Sequence, residues 1–241
     1  VQYGFEPQRD DLRSLAGFWG PGSLVGPDGR TVSISPAWGA AWRFFYDGMW
    51  GSQPFIMTGQ VFGTDAFNGG GYPFFSGKVA MSENFLWSTF GVAAAGTGWN
   101  LAAVPTHDGT VAPPLDVDTF AIPKASPNPG AAFAALTYLL GEGSSQLLGT
   151  YAAMPARPDR QDAFLAQLGQ TDGFPRSVDW QVVTDSLARA DDHGFQAWTP
   201  ADQQTGNILD KYLGRWTTTP GLDMDTELAN LAKEIQAQWN G

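Results

Sequence analysis

Trp87 stands six positions beyond Met81, with Glu83 and Asn84 between them. An indole offers a flat apolar face and one N–H donor, which suits stacking on a sugar ring and filling a core alike. The carboxylate and carboxamide beside it can take paired hydroxyls, or they can serve as surface caps at the end of a strand. Trp19 and Trp99, each next to a glycine near an element end, are further aromatic platforms open to the same two readings. Ten tryptophans in 241 residues is about three to four times ordinary usage.

Catalytic chemistry is poorly served. The only histidines, His107 and His193, are far apart and lack metal-ligand spacing. There is no G-x-S-x-G elbow. The stretch from Gly71 to Lys78 fails as a phosphate loop, since Val79 follows the lysine where Ser or Thr is needed. Gly96-Thr-Gly98 lacks the third glycine of a dinucleotide site. With 24 acidic side chains, the two facing carboxylates of a glycosidase stay open as the enzyme rival. The expectation is a binding protein that is not an enzyme and that uses no cofactor or metal.

The element that must position Trp87 is Phe75-Ser-Gly-Lys-Val-Ala-Met81. Gly77 supplies a sharp turn, and Val79-Ala-Met81 is short and apolar enough for an interior strand. Trp87 then falls just past a strand end, where α/β proteins place ligand contacts. Upstream, Val1 to Phe5 alternates as a strand, and Asp10 or Asp11 caps a short helix through Phe18 and Trp19. Residues 24 to 34 read as a hairpin turning at Asp28-Gly29. Ser35-Pro36 is a cap followed by proline at the first helical position, opening a helix with Trp38, Ala41, Trp42, Phe45 and Met49 on one stripe. Residues 51 to 72 are glycine-rich loop.

Downstream, Asp116 to Ile122 reads as a strand. Asn128-Pro129 opens a helix expected to bury Phe133, Leu136 and Leu140. The remainder is helical over 160 to 168, 180 to 190 and 205 to 216. Asp223 or Asp225 opens a last helix with Leu228, Leu231, Ile235 and Trp239 on one face.

The formal net charge is −11, which argues against nucleic acid as a partner because phosphate needs a basic footprint. The chain has no cysteine, which removes disulfides and thiolate sites together. No run reaches the roughly 18 apolar residues that span a bilayer. Val1 opens the chain without initiator Met or signal segment, which reads as a processed or trimmed chain.

Phe75, Gly77, Lys78, Ala80 and Met81 resemble the F-x-G-K-x-A-M signature of the family 1 extracellular solute-binding proteins of ABC importers, the maltose-binding-protein-like group. Leu101 to Pro105, Ala121 to Asn128, Met154 to Arg157 and the last helix also resemble that family's pattern, in its order. The resemblance implies an α/β, periplasmic-binding-protein-like fold of type II, here mostly the C-terminal lobe, with the first N-terminal lobe segment missing. Residues 1–115 and 153–241 would form the second lobe, and 116–152 the segment that returns to the first. Left without that lobe, the helix at 129 to 140 needs other cover, so the chain is a fragment, a cleaved product, or one whose helix has another partner.

The family's role implies a small-molecule solute, a carbohydrate, held between lobes and delivered to ABC permease subunits. The protein would then be periplasmic or extracellular, with a lipidated N-terminus outside this chain as one means of anchorage. Trp87 falls where sugar-binding members stack on the ring, and Arg9, Asp118 and Arg157 where members place polar or hinge contacts. A transporter-independent, lectin-like module is the rival binding reading.

Overall fold

The computed structural model describes residues 3–8, 12–17, 19–20, 22–62, 73–89, 91, 98–105, 107, 109, 115, 117, 119–146, 153–190 and 199–241. The chain divides into two compact units. The first comprises Val1–Asn84, Ala102–Leu115 and Gln181–Gly241, and the second Phe85–Leu101 and Asp116–Trp180.

In the first unit, strand β1 (Tyr3–Glu6) pairs in parallel with β2 (Val79–Ser82), in the register Tyr3 with Val79, Phe5 with Met81 and Glu6 with Ser82. Helix α1 (Leu12–Gly17) follows β1; its expected caps, Asp10 and Asp11, lie outside the described residues. Helix α2 (Pro36–Trp50) starts as its sequence dictates. Ser35 accepts the Trp38 N–H, proline takes the first turn, and Trp38, Ala41, Trp42, Phe45 and Met49 are all buried.

A short helix α3 (Gly59–Phe62) interrupts the expected loop. Gly77 has φ +71° at the entry to β2, a conformation that favours glycine. Gly22 is required for a different reason, since a Cβ there would come within 2.0 Å of Trp38 Nε1.

Helices α7 (Asp202–Thr218) and α8 (Met224–Trp239) complete this unit's core. Asp223 caps α8 by accepting the Thr226 N–H at 2.9 Å. Leu228, Leu231 and Ile235 are buried, and Trp239 packs half-buried beside them. The Trp42 and Trp216 rings meet at 5.8 Å, and Trp42 Nε1 donates to the Leu12 carbonyl. Glu227 is buried but answered, accepting from Arg215 Nη2 and Trp216 Nε1, each at 2.9 Å. The Asp28-Gly29 turn forms as expected, with the Asp28 carboxyl drawn down to about 2 by the Thr31 hydroxyl and the Arg30 and Thr31 N–H groups. Its flanks make only one bridge, Val25 with Val32. The Gln236 amide of α8 substitutes for a neighbouring strand, taking the Val32 N–H and donating to the Arg30 carbonyl.

In the second unit, Phe164 and Leu168 of α5 (Pro158–Leu168) form a small core with Phe174. Helix α4 (Pro129–Leu140) corrects the sequence expectation. None of its residues is buried; Phe133 is 67% exposed, Tyr138 53% and Leu140 50%. Asn128 precedes α4 without a side-chain cap bond. No strand forms at 101–104 or in the described part of 116–122, because a strand needs a ladder partner and none is offered among the described residues. Helix α6 (Gln181–Leu187) belongs to the first unit. The parallel pair with its many helices is compatible with part of a periplasmic-binding-like fold. Among the described residues, no helix is long and apolar enough to cross a membrane.

Candidate functional site

The carboxyl ends of β1 and β2 concentrate buried polar groups. The ladder sets Glu6 beside Ser82 and continues one residue further, with the Glu83 N–H donating to the Glu6 carbonyl at 2.9 Å. Glu6 is 2% exposed, and its Oε2 accepts the Phe74 N–H at 2.7 Å from the 3₁₀ turn Pro73–Ser76. Gln8 is 3% exposed, and its carbonyl accepts from Ser14 Oγ of α1. Burial drives the Glu83 carboxyl well above the ordinary glutamate range, opposed only in part by a hydrogen bond from the Gln8 backbone N–H.

Buried polar groups are normally paired, so exceptions need a reason. Among the described residues, four buried side-chain N or O atoms have no hydrogen-bond partner: Trp38 Nε1, Ser82 Oγ, Glu83 Oε1 and Trp99 Nε1. Two of them fall on consecutive residues at the end of β2. Parallel strands in α/β proteins present ligand contacts at their carboxyl ends, so this is the part of the first unit best placed to receive a polar ligand. Asn84, half-buried, follows directly and is the last residue before the chain enters the second unit.

The expected aromatic residues are distributed between the units. Trp87 lies in the 3₁₀ turn Leu86–Ser88, half-buried against the Phe164, Leu168 and Phe174 cluster and stacked on Phe85 at 6.3 Å. Trp99 joins the same cluster, edge-on to Phe174 at 5.3 Å and to Trp180 at 6.0 Å. Trp19 is in the first unit, half-buried, with its ring 4.2 Å from that of His107 and 5.0 Å from that of Phe44. The interior strand expected at Val79 to Met81 is interior only at Val79; Met81 is 60% exposed.

Arg157 is exposed and grips Asp159 through Nε and Nη2 at 3.1 and 2.8 Å. That contact raises the guanidinium's pKa and lowers that of the carboxylate. Arg9 and Asp118 lie outside the described residues. Ser82, Glu6 and Gln8 were not singled out in the sequence. The available signal was polarity at the ends of otherwise apolar strands, which equally marks where a strand stops.

Two shallow surface depressions lie elsewhere on the first unit. One, of about 350 Å³, is lined by Tyr212, Asn230, Lys233, Glu234 and Ala237. The other, of about 300 Å³, lies between Gly59 and Phe62 on one side and Asp210, Leu213, Gly214 and Thr217 on the other. Neither includes an expected site residue. Among the described residues, no group of three His, Cys, Asp or Glu side chains could hold a metal ion.

No curated protein and no solved structure matches the chain. A family model does match, over residues 7–175, and its description is bacterial extracellular solute-binding protein.

Proposed function

Since the chain belongs to the bacterial extracellular solute-binding proteins, we propose that its solute is a carbohydrate, delivered to the permease subunits of an ABC importer without covalent chemistry. The observation that carries the reading is the pair of buried oxygens on Ser82 and Glu83 at the strand ends that have no partner among the described residues. A sugar hydroxyl both donates and accepts, as do a serine hydroxyl and a carboxylic acid. Within the second unit, the half-buried indoles Trp87 and Trp99 are apolar faces of the kind a sugar ring stacks on, and Trp99 Nε1 is a buried donor without an acceptor among the described residues. In this reading Asn84, Trp19, Arg9, Asp118 and Arg157 stay as secondary contacts.

The lobe assignment belongs to the same proposal: 1–115 with 153–241 in one lobe, and 116–152 returning to another. Its support is the apolar surface left open by that segment, with Val117 58%, Phe120 50% and Phe133 67% exposed. Such a surface marks an interaction site. A closing cleft would take its differential affinity from contacts made only in the closed state.

Thermal shift and calorimetry on the full-length protein against a sugar panel test the reading. At about one hundred times Kd, a bound sugar adds about 2.7 kcal/mol of stability. A saturable response is expected for at least one sugar, and none at all would remove the carbohydrate claim.

A further inference from the structure

The two orphaned oxygens at the end of β2 carry chemical information about the solute beyond its being a sugar. We infer that Ser82 Oγ and Glu83 Oε1 form a polar subsite for an uncharged, hydroxyl-bearing part of the solute, and that the subsite rejects an ammonium. This rests on the solute-binding reading above and specifies the group held there.

One oxygen of Glu83 is served by the Gln8 backbone N–H, while Oε1 is buried with no partner among the described residues. Among the described residues, the elements packed around it bring little compensating charge. Strand β1 contributes Tyr3 and Glu6, neither of them a cation. Helix α1 contributes Arg13, whose guanidinium lies 3.7 Å from Asp202. The 3₁₀ turn Pro73–Ser76 brings no charged side chain, and Lys78 precedes β2 at its opposite, amino end.

Burial is the largest influence on the Glu83 carboxyl and favours its neutral acid. A carboxylic acid beside a serine hydroxyl presents donors and acceptors on consecutive residues, the pattern that adjacent hydroxyls match. An ammonium has only donors. It would need Glu83 ionised, and its binding would expel a proton.

The acid form is complete below the raised pKa of Glu83, so the O–H donor it offers a hydroxyl is present there and is lost as pH rises through that value, and affinity weakens with it.

The test is calorimetry on the full-length protein with D-glucose, maltose, xylitol and putrescine, in two buffers of different ionisation enthalpy, from about pH 5 to about pH 9. The expected result is that at least one of the three polyols binds without proton release and weakens as pH rises. Glu83→Gln should keep that binding within about threefold and abolish its pH dependence. Ser82→Ala and Glu83→Ala should each weaken it roughly tenfold, with thermal unfolding confirming that the variants fold. Polyol binding that is indifferent to all three variants would overturn the inference alone, leaving the oxygens as the seat of a structural water. Binding of putrescine with proton release would overturn it while solute binding survived. No response to any polyol or to putrescine would overturn it together with the carbohydrate reading.

Discussion

Two glutamates on the first unit with buried carboxylate oxygens have opposite fates. Glu227, on α8, is 4% exposed and hydrogen-bonded by both a guanidinium and an indole N–H. Glu83, past the end of β2, has a buried oxygen that nothing among the described residues answers. The same division extends to their neighbours. At the α7 and α8 contact, Thr205 Oγ1 accepts from Trp239 Nε1 and donates to the Pro200 carbonyl, and Tyr212 donates to Glu234. At the strand ends, Ser82 Oγ is as isolated as Glu83 Oε1. An unmet buried polar atom costs stability, so a protein keeps one where something other than stability is served. The helical layer answers its buried polar groups apart from Trp38 Nε1, and in the reading proposed above the strand ends give up stability for a solute.

Substitutions can sharpen or break that contrast. Trp42→Ala, within the helical core, should lose about 3–5 kcal/mol in denaturant unfolding; a loss under 1 kcal/mol would mean the core is not where the packing places it. Glu227→Ala should cost about 2 kcal/mol, since it strands the Trp216 N–H. The Arg215 side chain, 54% exposed, adds little because water replaces its partner. Ser82→Ala should act in the other direction and raise stability by about 1 kcal/mol, by removing a hydroxyl that is desolvated for nothing in the empty protein. A loss there would show that the hydroxyl has a structural partner.

Glu83 then gives a pH signature. Its folded pKa is raised, so its contribution is fully present below the ordinary glutamate range and is lost as pH rises through the folded value. Thermal midpoints of wild type should therefore fall with rising pH relative to Glu83→Gln. Parallel curves would remove the buried acid from the account. Smallest of all, Phe133→Asp on the open face of α4 should move the stability of this chain by no more than about 0.5 kcal/mol.

The helical layer was readable because its signals are local. Ser35-Pro36, the stripe from Trp38 to Met49, Asp223 and the spacing of Leu228, Leu231 and Ile235 each specify a start or a face within a few residues. The parallel pair was readable in part, since Gly77 and Val79 mark the entry to β2. The exposure of Met81 was not, because how far a strand is covered depends on layers that its own residues do not encode. The same limit applies to α4, whose apolar residues imply a core in any helical reading. Glu83 looked like a surface cap. Its burial comes from the ladder carrying on past Ser82 and from Gln8, which is 75 positions away in the chain. The match to the family, by contrast, was carried by a handful of residues around Gly77 and Lys78, and the family model bears it out.

The amide of Gln236 reaches a backbone 204 positions earlier in the chain. Closing so long a loop is slow, because the entropy of the intervening chain is lost before the contact returns anything. The first unit therefore cannot finish assembling until its final helices have been synthesised.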